Sequence, residues 1–263
     1  MDLSDTTYKY GVVATPTVSI SGTTLKTYDG TGVELTATSS VEKVTANSTD
    51  YAIQYTYQWS KSDGSNYTNI ENATNKTFTT DAGVDASGTY KCTVKTGNVE
   101  ISDTATVTIT KADPTVTAPT AKTLTYNGSA QELVAAGTAT GGTMQYALGT
   151  NGTSAPTSDW GTSIPTAINA GTYYVWYKVV GGDNHLNTEA ACVTATIGKK
   201  AATVTADAKT KTYGEADPEL TAKVTGTVGE EKLNYALARV EGDNAGEYPI
   251  TVTLGENPNY DVT

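Results

Sequence analysis

Short runs in which apolar residues alternate with polar ones recur along the chain. Val33, Leu35 and Ala37 alternate with Glu34, Thr36 and Thr38, and Ile53, Tyr55, Tyr57 and Trp59 alternate with Gln54, Thr56 and Gln58. Tyr90, Cys92 and Val94 alternate with Lys91, Thr93 and Lys95; Ala105, Val107 and Ile109 alternate with Thr104, Thr106, Thr108 and Thr110. A period of two sends successive side chains to opposite faces, so each run predicts a strand with one face buried. Lys61–Gly64 reads as a hairpin loop between two of them and Asn66–Asn75 as a polar connection, which together predict a sandwich. Tyr173–Val179 is apolar on both faces and predicts a central, doubly covered strand. No window carries an apolar stripe at a period of 3.6, so no helix is expected.

The pattern repeats. A tyrosine followed by Asp, Asn or Gly is followed at offsets of six and seven by a Glu-Leu pair: Tyr28 with Glu34 and Leu35, Tyr126 with Glu132 and Leu133, Tyr213 with Glu219 and Leu220. A Gly-x-Tyr phrase follows in each copy, at Gly88-Thr89-Tyr90, Gly171-Thr172-Tyr173 and Gly246-Glu247-Tyr248. The opening tyrosines lie 98 and 87 residues apart, a length that suits one sandwich each. The expected division is a tail or remnant strand at 1–15 and domains at 16–111, 112–199 and 200–263. Copy three ends 15 residues past Tyr248, so it is expected to lack most or all of its final strand. Thr7–Pro16 aligns with Ala105–Pro114, so Tyr8–Val13 reads as the closing strand of a preceding domain. An unpaired strand and an open edge invite head-to-tail self-association.

Gln58-Trp59 followed by Ser87-Gly88-Thr89-Tyr90-Lys91-Cys92 resembles the immunoglobulin pattern of core tryptophan, tyrosine corner and second cysteine. The strand Val33–Ser40 carries no first cysteine, so the resemblance implies the sandwich, with Trp59, Tyr90 and Cys92 in its core, without its disulfide. Thr212-Tyr213-Gly214-Glu215-Ala216-Asp217-Pro218-Glu219-Leu220, Asn244-Ala245-Gly246-Glu247-Tyr248 and Asn257-Pro258-Asn259-Tyr260 resemble the MBG-type β-domains of bacterial surface proteins, named for mucin-binding glycoproteins. Tyr126-Asn127-Gly128 and Asn169-Ala170-Gly171-Thr172-Tyr173 carry the same resemblance into copy two. The expected fold is therefore all-β: three tandem immunoglobulin-like β-sandwiches in an elongated array, the third truncated.

Composition supports strands: 52 residues are Thr and 17 are Tyr, against one Phe. The formal net charge of −11 argues against nucleic acid, which needs clustered Lys and Arg. No apolar run of about 18 residues exists to span a membrane. Met1–Tyr10 is polar and lacks a signal-peptide pattern, so whatever directs export is expected to lie outside the chain. Cys92 and Cys192 fall in different copies and are expected as free thiols, Cys92 buried and Cys192 more accessible. His185 is the single histidine, which leaves no His-based metal cluster or triad.

Candidate chemistry is sparse. Asp81 with Asp85, or Glu230 with Glu231, could flank a glycosidic bond, but both pairs read first as solvated loop charges. Gly181-Gly182-Asp183-Asn184 and the loop Glu256–Asp261 offer oxygen ligands to a hard cation such as calcium, with Asp183 and Asn184 the named ligands; turn formation explains the same residues. Trp160, among turn formers in Thr157–Gly161, is the candidate sugar-stacking residue, and the competing reading folds it over an open end of its sandwich. Six Asn-x-Ser/Thr matches arise by chance in a chain this rich in Asn and Thr, and no motif selects a Lys–Asn crosslink. No cofactor and no enzymatic activity is expected. The expected function is a stalk or spacer of an extracellular bacterial surface protein whose full-length form adheres to a glycan or protein on a host or neighbouring cell. The alternative is a glycan- or protein-binding module that uses loops at a sandwich end.

Overall fold

The computed structural model describes residues 15–46 and 49–263. The described chain is all-β and divides into two compact units, Met1–Asp113 with Gly182–Leu186, and Pro114–Gly181 with Asn187–Thr263. The Tyr8–Val13 segment and the self-association assigned to it lie outside the described residues.

Among the described residues, ten strands build the first unit: β1 (Val18–Gly22), β2 (Leu25–Thr27), β3 (Glu34–Ser39), β4 (Lys43–Ala46), β5 (Thr49–Ala52), β6 (Thr56–Ser62), β7 (Tyr67–Asn69), β8 (Thr77–Thr79), β9 (Gly88–Thr96) and β10 (Val99–Thr110). They form a three-stranded sheet, β1-β3-β8, and a five-stranded sheet, β2-β10-β9-β6-β7. The first strand changes sheets partway along: β1 pairs antiparallel with β3, and β2 pairs parallel with β10. The switch needs Gly22, since a Cβ there would lie 2.3 Å from the Glu34 carbonyl oxygen. The alternating runs predict the sandwich, and this two-sheet order is the immunoglobulin-like one that the resemblance at Trp59, Tyr90 and Cys92 implies.

The core follows from the same alternation. Leu35, Ala37, Trp59, Cys92 and Val94 are fully buried, as are Tyr90, Val107 and Ile109 to within a few per cent. The Trp59 ring stacks on Phe78 at 5.6 Å and its Nε1–H donates to the Asn75 carbonyl at 2.9 Å, so the indole is held at both its apolar face and its polar edge. The loop boundaries differ from expectation. β6 continues to Ser62, and the turn is tightened where Asp63 Oδ1 accepts the N–H groups of Ser65 and Asn66 at 2.8 and 2.7 Å. The stretch 66–75 carries the edge strand β7, paired to β6 through Tyr67–Asn69. The β4–β5 hairpin has Lys43, Thr45 and Thr49–Ala52 exposed, so these positions write no alternating apolar pattern and alternation misses it.

The second unit contains copies two and three. Its strands are β11 (Thr115–Thr117), β12 (Thr120–Ala121), β13 (Thr123–Thr125), β14 (Gln131–Glu132), β15 (Val134–Ala135), β16 (Thr138–Thr140), β17 (Gly142–Gly149), β18 (Thr166–Ala167), β19 (Gly171–Gly181), β20 (Ala191–Gly198), β21 (Lys200–Ala206), β22 (Ala222–Thr225), β23 (Tyr235–Arg239), β24 (Ile250–Leu254) and β25 (Tyr260–Val262). Copy two repeats the sheet switch: β11 pairs antiparallel with β16, then β13 pairs parallel with β20 in the sheet β13-β20-β19-β17. β19 lies inside this sheet with Val175 and Trp176, on opposite faces, both buried, as its doubly apolar sequence predicts. Only Lys199 separates β20 from β21, so the chain passes between them as one nearly continuous extended strand. A single buried cluster runs from Leu133, Val175 and Ile197 of copy two to Val204, Leu233 and Tyr260 of copy three. Among the described residues of copy three, no strand corresponds to β20. β24 pairs with β23 alone, and β25 pairs with the start of β21.

Candidate functional site

Of the residues singled out for chemistry, Trp160 and Asn184 are engaged in structure. Trp160 is half-buried; its Nε1–H donates to the Pro156 carbonyl at 3.0 Å, and Lys178 Nζ sits 4.2 Å above the ring, occupying one face of the indole. Asp183 is exposed, whereas Asn184 Oδ1 accepts the Val84 N–H at 2.8 Å and the Asn184 carbonyl accepts the Ala112 N–H at 3.0 Å. In the Glu256–Asp261 loop, Asn257 Oδ1 accepts the Asn234 N–H and Asn259 Oδ1 accepts the Ala170 N–H, at 2.8 and 2.9 Å. Among the described residues, no three His, Cys, Asp or Glu side chains converge as a metal site would require. Cys92 and Cys192 are both free, the first buried and the second half-buried.

The repeated phrases have local physical causes. In each copy the Gly-x-Tyr tyrosine donates its hydroxyl to the carbonyl four residues upstream: Tyr90 to Ala86 at 2.6 Å, Tyr173 to Asn169 at 2.7 Å and Tyr248 to Asn244 at 2.9 Å. All three are tyrosine corners. After the opening tyrosines, Asp29 Oδ1 accepts the Thr31 N–H and Asn127 Oδ1 accepts the Ser129 N–H, both at 2.9 Å, which closes the same Asx turn twice. The Glu-Leu pair places leucine in the core, with Leu35 and Leu133 fully buried.

One arrangement brings several of these motifs together and occurs twice. In the second unit, Lys199 Nζ donates to the Asn257 carbonyl at 3.3 Å, and the Lys200 N–H donates to the Asn259 carbonyl at 3.0 Å. The loop thus anchored presents Asn259 and Tyr260 to copy two. Asn259 Oδ1 takes the Ala170 N–H beside the tyrosine corner, and the Tyr260 ring meets Tyr126 edge-on, with centroids 5.4 Å apart at 80°. In the first unit, Lys111 Nζ donates to the Gly182 carbonyl at 3.3 Å and Asn184 Oδ1 takes the Val84 N–H. There His185 meets Tyr28 edge-on, with centroids 5.2 Å apart at 78°. Tyr28 and Tyr126 therefore each receive an aromatic residue, and the corner loops of copies one and two each receive an asparagine, from a loop of the next copy's sequence. We call this arrangement a clasp.

The second clasp carries an added carboxylate. Tyr126 donates to Glu231 Oε1 at 2.6 Å and Tyr260 donates to Glu231 Oε2, so both carboxylate oxygens are engaged. The bonds from Tyr126 and then Tyr260 stabilise the ionised form and hold the Glu231 carboxyl below its ordinary range. The reciprocal effect pushes Tyr126 up to about 12, its bond to the carboxylate being the main cause. Glu231 is thus a fixed acceptor for two phenols. Sequence reasoning noticed Tyr126, Glu231 and Tyr260 but had no signal to join them across the repeat boundary.

Residues 202–263 match the family described as MBG domain (YGX type), and Tyr213-Gly214-Glu215 has that form. MBG domains occur in bacterial surface proteins. Three N-terminal domains of the bacteriophage RB49 Highly Immunogenic Outer Capsid protein (Hoc) are similar to 92% of this chain and 80% of their own, at 17% identity and a TM-score of 0.27. Fibronectin(III)-like modules of Clostridium thermocellum CbhA are similar at 13% identity and a TM-score of 0.25, over 69% of this chain and 94% of theirs. Extracellular domains 3–5 of Drosophila OTK are similar at 11% identity and a TM-score of 0.24, over 87% of this chain and 92% of theirs. No curated protein matches the chain. The fold assignment rests on the strand pairing described above.

Proposed function

We propose that this chain is a structural spacer in a secreted or wall-attached bacterial surface protein that serves in adhesion, with recognition of a host or neighbouring-cell glycan or protein carried out by the full-length molecule. The observation that carries this reading is the clasp. Lysine, asparagine and an aromatic residue recur at matching places and tie one repeat's loop to the preceding repeat's opening tyrosine and corner. The single-residue junction at Lys199 supports the same reading, because short junctions limit hinge freedom.

The second reading, a glycan- or protein-binding module, rests on Trp160, which keeps part of its ring at the surface beside Lys178. A glycan array and immobilised mucin probed with the whole chain separate the two. The spacer reading expects no saturable binding. Saturable binding that disappears in Trp160→Ala replaces it with the module reading.

A further inference from the structure

Aligning the clasps residue by residue pairs Lys111 with Lys199, Gly182 with Asn257, Asn184 with Asn259 and His185 with Tyr260. On the receiving side it pairs Tyr28 with Tyr126. The shared offset is confirmed inside the loops, where the His185 N–H donates to the Gly182 carbonyl and the Tyr260 N–H to the Asn257 carbonyl, both at 3.2 Å. Copy three has the receiving parts as well. Tyr213 is its opening tyrosine, and Asn244-Ala245-Gly246 precedes its tyrosine corner as Asn169-Ala170-Gly171 does in copy two. Tyr126 is 5% exposed, whereas Tyr213 is 77% exposed, and the Ala245 N–H is unpartnered among the described residues. An open groove joins the two, lined by Tyr213, Pro218, Arg239, Asn244, Ala245 and Tyr248. Arg239 is fixed there by Asp217, with hydrogen bonds of 2.7 and 3.0 Å, so the groove has a defined wall.

We propose that this end of copy three is a docking face for a further repeat of the same type, recognised through a loop of the form Asn257-Pro258-Asn259-Tyr260. The aromatic residue of the incoming loop meets Tyr213 edge-on and its asparagine takes the Ala245 N–H. Two occupied clasps identify the occupant: each is filled by such a loop, anchored by the lysine that opens its own repeat. The proposal rests on the spacer reading but has its own test, since glycan binding through Trp160 would leave the face unchanged.

The alignment places Thr188 at the position of Thr263, so a second copy of residues 189–263 appended after Thr263 continues in register and supplies both a closing strand and a repeat. The added copy carries Tyr213→Phe, so that peptide mapping after nitration by tetranitromethane reads this position from the original repeat alone, apart from the other exposed tyrosines such as Tyr51 and Tyr67. Nitration of Tyr213 is expected to slow at least tenfold in the extended chain, and to recover when Asn259 and Tyr260 of the added copy are both changed to alanine. Appending residues 189–198 alone, the closing strand without a repeat, is expected to leave Tyr213 reactive. In the unextended chain, Asn259→Ala is expected to raise nitration of Tyr126. An unchanged Tyr213 rate in the extended chain, full protection by the strand alone, or an unresponsive Tyr126 would each overturn the proposal.

Discussion

Tyr126 and Glu231 stand 105 residues apart in sequence and share a hydrogen bond of 2.6 Å. Tyr126 belongs to copy two and Glu231 to copy three, so this bond crosses the repeat boundary inside the second unit. With Tyr260 on the other carboxylate oxygen, an acid that sequence reading lists with catalytic candidates becomes an acceptor for two phenols.

This arrangement gives the second unit a two-sided pH dependence. Glu231 has a folded pKa below its ordinary value of 4.5, so its contribution is present above that value and is lost as pH falls through the depressed one. Tyr126 moves the other way, from 10.0 to about 12, so its contribution is present below pH 10 and is lost between 10 and about 12. Thermal melts of Glu231→Gln are expected to show a lower Tm than the parent at pH 7, with the gap closing in acid. A constant gap down to pH 2 would contradict the assignment.

Gly128 has a left-handed φ of +78°, and a Cβ on it would lie 2.7 Å from Val228 Cγ1. Gly30, in the matching turn of copy one, has a φ of +83° with open space around it. Gly30→Ala should therefore cost strain alone, about 1 kcal/mol, whereas Gly128→Ala should cost about 2–3 kcal/mol in urea unfolding because the copy-three loop must also shift. Equal costs would mean that the close approach is relieved without penalty.

The two thiols should react in sequence. Burial pushes Cys92 up to about 11 and fully encloses it, so at pH 8 it is neutral and inaccessible. Cys192 lies opposite Trp176 on β19 and is half-buried, and burial raises its pKa as well. Thiol labelling of the folded chain is expected to modify Cys192 first and Cys92 only on unfolding.

In copy one the indole should outweigh the phenol. Trp59→Ala removes a fully buried ring packed on Phe78 and is expected to cost about 3–5 kcal/mol. Tyr90→Phe removes only the bond to the Ala86 carbonyl and is expected to cost about 1 kcal/mol. Denaturant titration of the first unit measures both.

Strands that bury one face were legible from alternation, because burial is what writes the alternation: Leu35, Trp59, Cys92 and Val107 all lie where the period of two puts them. β5 is exposed throughout, and the β4–β5 hairpin left no mark. The corner was read at Tyr90 alone, through the immunoglobulin resemblance, although the same bond, four residues long, recurs at Tyr173 and Tyr248. The clasp was not readable. Asn184 and Asn259 look like turn formers or cation ligands until the fold brings Val84 and Ala170 within hydrogen-bonding distance, and nothing local encodes a partner 89 or 100 residues away.

Lys199 is the single residue outside strand geometry between β20 and β21. Adding or removing one residue there would turn every side chain of β21 to the opposite face, driving Ala202 and Val204 outward and Thr203 and Thr205 into the core. The linker therefore fixes a parity. A change of one residue breaks the downstream repeat, so an array of this kind tolerates growth by whole repeats and resists lengthening at its seams.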